Sequence, residues 1–463
     1  MSVSRIFLTI AVIALCCPVV SCRTTDSREE GALSARPAFS DDPALAPIDA
    51  AIAKGLDYFA ANADRKDGSF GLMMPDKEGK EQYIPDVGIT GLIVEAVVKS
   101  PFAGYEKQQP YLEHAVGYLL ANVRKDGSIA EAEQGYSNYK TSIVLMALHS
   151  LNEPEKYSGI IKGAQDYIRS QQFAENRKVD EEDWRYGGIG YGSKVGRPDL
   201  SNTQWAVEAL RETGVSDKDP LFKNVTVYIS RCQNKTDSND YDRKQTDIIS
   251  INDGGARYKP IESKIEVENS DGKRMLLSYG SMTYAFLKSM IYAGVSRDDP
   301  RVQAAFQWIL NNYLLDKNPG FSTKIDKNAD KQGLYYYYHT MSKALLVMKK
   351  HAFRTPDGEM HNWALELSQK IISLQDKDGS WVNGYAERWY EGNPYLVTAY
   401  AVLVLNNCRE ELLAQEKFLR ETPKRIEALE AEKGEASAER AREIDEEIKL
   451  LTEALEDLKA TRK

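Results

Sequence analysis

The segment DLSNTQWAVEAL, Asp199 to Leu210, decides how this chain is read. A short polar start ends in Thr203, and a run apolar on nearly every side follows. A helix of that kind is buried, whereas a one-sided helix lies at a surface. The pattern recurs at Asp86–Val97 (DVGITGLIVEAV), Asn138–Leu148 (NYKTSIVLMAL) and Tyr279–Met290 (YGSMTYAFLKSM). It recurs again at Tyr338–Met348 (YHTMSKALLVM) and Asn393–Leu405 (NPYLVTAYAVLVL). The six threonines, Thr90, Thr141, Thr203, Thr283, Thr340 and Thr398, lie 51, 62, 80, 57 and 58 residues apart.

Each interval has room for a second helix. More amphipathic stretches precede the buried runs at 47–63, 109–123, 157–172, 220–233, 300–313 and 361–375. Turns rich in glycine join the two, as in Asp67-Gly-Ser, Asp126-Gly-Ser, Tyr186-Gly-Gly, Asp253-Gly-Gly, Asn318-Pro-Gly and Asp378-Gly-Ser. Glycine supplies the positive φ that a sharp reversal after a helix needs. The alternation predicts an all-α fold, an (α/α)6 toroid of six inner and six outer helices over 46–408. An open solenoid is the competing arrangement; the number six and the small residues of the inner helices favour closure.

The two ends read differently. Ile6–Val20 is an apolar run behind Arg5, too short for a comfortable membrane span and placed as a signal core. It closes on Val19-Val20-Ser21-Cys22, which resembles a bacterial lipobox. The expectation is a lipoprotein signal over 1–22 with lipidation at Cys22, and a flexible tether over 23–45. The chain would then be exported and lipid-anchored to a bacterial membrane, facing the periplasm or the cell surface. Beyond that signal, Cys232 and Cys408 are the remaining thiols; one disulfide could join them, but there is no disulfide framework. Residues 409–463 form a charged helical arm, with Ile444, Ile448, Leu451, Leu455 and Leu458 on a heptad seam. It reads as a helical hairpin or short coiled coil, either a partner-binding arm or a helix packed on its own domain. Sixty Lys and Arg against 69 Asp and Glu leave a net charge of −9, which argues against nucleic-acid binding.

The Asp-Gly-Ser-Trp/Phe turns followed by Ala-rich helices resemble the repeats of squalene–hopene cyclases and of protein prenyltransferase β-subunits, over most of 47–408. RPDLSNTQ, SYGSMTYAFLKSMIYAG, GLYYYYHT and NPYLVTAY are similar to segments of secreted bacterial prenyltransferase/squalene-oxidase repeat proteins. The resemblance implies a central cavity for an isoprenoid or other apolar small molecule. It also supplies two tests. Terpenoid cyclases protonate an alkene with the middle acid of an Asp-x-Asp-Asp motif; the matching stretch here holds Ser201 and Asn202, with Asp199 at the flank. Prenyltransferases bind zinc through Asp-x-Cys and a histidine; here Tyr279-Gly280-Ser281 replaces the first, and only His339 remains. Neither parent chemistry is expected, and no metal or cofactor is assigned.

Asp199 and His339 are the candidate catalytic residues. The inner-helix starts are expected to line one mouth of the cavity, with free N–H groups at their positive ends. That places Asp86, Tyr139, Ser201 and Asn202 around a ligand, with Tyr279, Ser281, Tyr337 and Tyr338 opposite. Arg388, Trp389 and Tyr395 complete the lining, and the aromatic side chains suit an apolar chain, a cation or a sugar face. A non-catalytic binding scaffold is the alternative, and a carbohydrate-active toroid the second, with Arg388, Trp389, Glu391 and Asp199 supplying its charges.

Overall fold

The computed structural model describes residues 36–63, 65–131, 135–192, 196–324, 326–385 and 388–462. Cys22, the signal and most of the tether lie outside them. In chain order the helices are α1 (Ala46–Ala61), α2 (Val87–Lys99), the one-turn α3 (Ala103–Glu106), α4 (Pro110–Ala121), α5 (Ser137–Ser150) and α6 (Pro154–Ser170). There follow α7 (Leu200–Glu212), α8 (Pro220–Arg231), α9 (Gly280–Tyr292), α10 (Pro300–Asn311), α11 (Leu334–Met348), α12 (Trp363–Ser373), α13 (Pro394–Lys433) and α14 (Ala438–Ala460).

Helices α2, α5, α7, α9, α11 and α13 form the inner ring. Each packs on the next, and α13 packs on both α2 and α1, so the ring is closed. The inner helices are buried on nearly every side, while α1, α4, α6, α8, α10 and α12 bury one face. The fold is an (α/α)6 toroid, as the apolar patterning implies. Most outer helices begin with proline at the first turn, where its missing N–H removes no intrahelical bond.

The recurring threonine has a structural task. Phe70, Ile129, Ile189, Ala256 and Trp381 each follow a glycine turn. Their N–H groups donate to Thr90, Thr141, Thr203, Thr283 and Thr398 Oγ1 at 2.9–3.0 Å. The hydroxyl thus ties each turn to the inner helix that follows. Replacing Thr203 with valine leaves the buried Ile189 N–H without its acceptor. The expected loss is about 1–3 kcal/mol, read from urea midpoints, whereas Thr203→Ser stays close to the parent.

Neighbouring units are stitched by the turns. Gly187 has φ +83°, and a Cβ there would lie 1.8 Å from the Asn224 carbonyl oxygen of α8. Glutamines ending the outer helices reinforce the seam. Gln172 Nε2 donates to the Gly187 and Leu221 carbonyls, Gln233 Nε2 to those of Gly254 and Arg301. Gln375 Nε2 repeats the pattern across the closing joint, reaching Gly379 and Ala51 O, so the sixth unit grips the first.

Short antiparallel pairs, Gly71–Pro75 with Glu81–Pro85 and Phe353–Arg354 with Met360–His361, elaborate two connections. A small three-stranded sheet lies within the longest one, between α8 and α9. The last inner helix does not stop near residue 408 but continues unbroken to Lys433. Helix α14 folds back on it as a hairpin with Ile444, Leu455 and Leu458 buried. Cys232 and Cys408 are both free, buried thiols.

Candidate functional site

A cavity of 430 Å³ opens where the inner helices begin. Its apolar surface comes from Ile89, Leu92, Ile143, Met282 and Leu396. Eight tyrosines join them, with Phe321 and Trp389. Of the residues expected around a ligand, Asp86, Tyr139, Ser201, Tyr279, Ser281 and Trp389 line this space. Five lining residues, Gly88, Tyr139, Ser201, Ser281 and Leu396, stand two positions before their threonine.

The fifth repeat departs from that register. There Tyr336 faces the cavity, four positions before Thr340, and Tyr337 and Tyr338 do not. Their hydroxyls donate to the Leu314 and Leu315 carbonyls at 2.8 and 2.5 Å, clamping α11 to the preceding loop. Two residues are about 200° of helix rotation, which turns the expected pair outward. Thr340 donates to Tyr336 O, as Thr90, Thr141 and Thr283 donate to the carbonyl four positions back, but no turn N–H among the described residues donates to it.

The helix starts are not free. Ile89 N–H donates to Asp86, Val87 N–H to Glu131, and Asn202 N–H to Asp199. Ser281 N–H donates to Asn318, Tyr336 N–H to Glu391, and Leu396 N–H to Asn393. Backbone carbonyls take others: Asn138 N–H donates to Tyr191 O, Leu200 N–H to Tyr258 O and Gly280 N–H to Pro319 O. These contacts occupy one or two of the N–H groups at each helix start.

Asp199 is such a cap. It is buried, held by the Asn202 N–H and by both contacts of the Asn202 amide (3.1 and 2.9 Å), and does not line the cavity. Burial pushes its carboxyl up to about 6. Asn202 is spent on the same task. His339 lies outside the lining, its ring stacked on Trp205 at 5.2 Å and 14° and 5.3 Å from Tyr400, which does line the cavity. Its Nδ1 has no described partner, and burial, then Lys288 and Lys343, hold the imidazole well below the usual histidine range. It meets the cavity wall through Tyr400 rather than lining the space itself. Arg388 is on the outside, donating to Gln332 Oε1 at 2.8 Å and lying over Trp389. Tyr395 packs on Phe70 and Tyr58 toward α1.

Two carboxyl groups do line the cavity, Asp86 and Glu391. Asp86 pairs with Lys140 at 2.7 Å, and Lys140 also pairs with Glu131 at 2.8 Å. Glu391 has no cationic partner among the described residues. It takes N–H donors from Tyr336 (2.8 Å) and Asn383 (2.7 Å), and burial raises it to about 7. The helix Glu391 caps begins at Gly333, which has no side chain of its own to do so. Trp389 and Tyr390, at φ 59° and 64°, form the half-exposed lip. Tyr336 OH meets Ser201 Oγ at 2.9 Å and the Gln204 amide at 3.2 Å, and Tyr139 and Tyr400 hydroxyls meet at 3.4 Å.

Asp199 and Glu391 set a pH dependence. Both are raised above their ordinary 3.8 and 4.5, so the folded state holds protons that the unfolded chain releases. That stability is fully present below the unfolded values and is lost as pH rises through about 6 and about 7. Each accounts for about 3 kcal/mol over that range. Glu391→Gln is expected to gain stability relative to the parent between about pH 4 and about pH 8, measured by urea unfolding at both. A constant difference would remove the assignment.

No protein-family model matches the chain, and no curated protein aligns with it. Among solved structures, it is similar to a variant of the type II terpene cyclase MstE from Scytonema in complex with merosterolic acid A. Identity is 12% and the TM-score 0.47, over 80% of this chain and 99% of that one. Apo MstE gives 13% and 0.45, over 79% and 100%. A protein from Actinoplanes gives 11% and 0.43, over 78% and 99%.

Proposed function

We propose that the cavity binds an isoprenoid or comparably apolar ligand, in a lipoprotein exported and anchored through Cys22. The observation that carries this reading is the lining: aliphatic side chains and aromatic rings around one hollow, with its helix N-termini already capped. An apolar chain gains from that surface. A hollow of 430 Å³ falls at the smaller end of small-molecule sites, which favours a chain near fifteen carbons over one of thirty. Conversion of that ligand would fall to Glu391, the one lining carboxyl group without a described cationic partner. A group that titrates near neutrality exchanges protons with an oxygenated ligand, not with an unactivated alkene. The C-terminal hairpin is proposed as the arm available to a protein partner.

The test is a titration of the chain with a fifteen-carbon isoprenoid alcohol and a thirty-carbon isoprenoid hydrocarbon. The shorter ligand is expected to bind more tightly. Ser201→Trp, which fills the hollow from its wall, is expected to weaken it at least thirtyfold with little change in melting temperature. Equal affinity in that variant, or binding of oligosaccharides alone, would overturn the proposal.

A further inference from the structure

The opposite mouth of the ring, where the inner helices end, carries a second depression of 810 Å³. Six cationic side chains line it: Lys99, Arg211, Arg297, Lys343, Lys349 and Arg409, against Glu212 and Glu410. Glu95, Glu208 and Asp49, behind the lining, pair with Lys99, Lys343 and Arg409, so the surplus resides in the remaining cations.

The cations divide into two sets. Lys99 and Lys343 belong to a buried network with Glu95, Glu208 and Glu212, and Arg409 pairs with Asp49 at 2.7 Å. Arg211 and Arg297 differ: each donates to a backbone carbonyl, Val215 O and Val347 O, and neither has a carboxylate partner among the described residues. Burial holds the Arg297 guanidinium below its usual range, against the pull of the neighbouring Asp298 carboxylate. Lys349, exposed just after α11, has no described partner either. A guanidinium with unused N–H groups at the edge of a concave surface is suited to a phosphate oxygen pair.

We propose that this mouth binds a phosphate-bearing anion at the part of the depression lined by Arg211, Arg297 and Lys349. The site is separate from the aromatic cavity, and its ligand is independent of the one assigned there. Two sources share the chemistry, a soluble phosphate and a phospholipid headgroup. The first described stretch of chain joins the fold beside this mouth: Ser40 N–H donates to Asp49, which holds Arg409.

The experiment is calorimetric titration of the full chain with inorganic phosphate and, separately, with dihexanoyl phosphatidylglycerol below its micelle concentration. At least one probe is expected to bind with a Kd below about 1 mM. Tenfold tighter binding of the lipid identifies a headgroup site; equal or weaker binding identifies a soluble phosphate. Arg211→Gln with Arg297→Gln keeps a donor for each carbonyl and is expected to weaken binding at least tenfold. Lys349→Gln, at an exposed position that bears on no packing, is expected to weaken it about threefold. Isoprenoid binding should be unchanged in all of them. Failure of both probes to bind, or unchanged affinity in both variants, would overturn the proposal.

Discussion

Gly379→Ala is expected to prevent the chain from reaching its native state. Gly379 has φ +90°, and an added Cβ would stand 2.3 Å from Lys54 O in the backbone of α1. A flexible side chain could yield, but a helix carbonyl cannot. The turn also holds the joint between the sixth unit and the first, where Gln375 bridges Ala51 and Gly379. Moving it apart opens the ring at the seam between its first and sixth units. Steric exclusion together with the left-handed backbone places the effect above about 4 kcal/mol. Gly384→Ala is the control, because a Cβ there meets no atom within 4 Å. Near-ultraviolet circular dichroism and urea unfolding distinguish the two. A Gly379→Ala protein within about 1 kcal/mol of the parent would mean that the closing joint is loose.

Lys288→Met is expected to be the next most damaging change. Lys288 and Glu208 pair in the middle of the ring, both fully buried, with Lys288 also 5.4 Å from the Trp205 ring. Lys343 touches Glu208 at 3.2 Å but is shared with Glu212 at 2.5 Å. Removing Lys288 leaves a buried carboxylate only partly compensated, at a cost of about 3–5 kcal/mol. The double variant Lys288→Met with Glu208→Leu removes both charges and should be more stable than the single one. A cycle of the four proteins gives the coupling directly. Additive losses would show that the pair does not act as a unit.

Much of this arrangement can be read from residue order alone. The threonine register, the polar outer faces and the glycine turns predict all twelve ring helices, because each reports a local requirement of the fold. The fifth repeat shows where that reading fails. Thr340 matches by type but not by phase, so Tyr337 and Tyr338 were expected in the cavity that Tyr336 occupies. Helix phase depends on where α11 begins, and that start is fixed by Glu391, 55 residues away from Tyr336. The same reason hid the capping of the rim. Glu131, Asn318 and Glu391 each reach a helix start from another loop, so no local motif announces them. Asp199 and His339 were selected by their match to remote chemistry; burial and hydrogen bonding give the first a capping role and screen the second. Leu276 and the other strand residues between α8 and α9 lie in an insertion whose pairing has no helical period to betray it.

Native mass spectrometry of the intact chain, purified without added lipid, tests the central claim most directly. A bound species of isoprenoid mass is expected in the parent and absent from Ser201→Trp. A parent protein that arrives empty and takes up no isoprenoid on addition would contradict it.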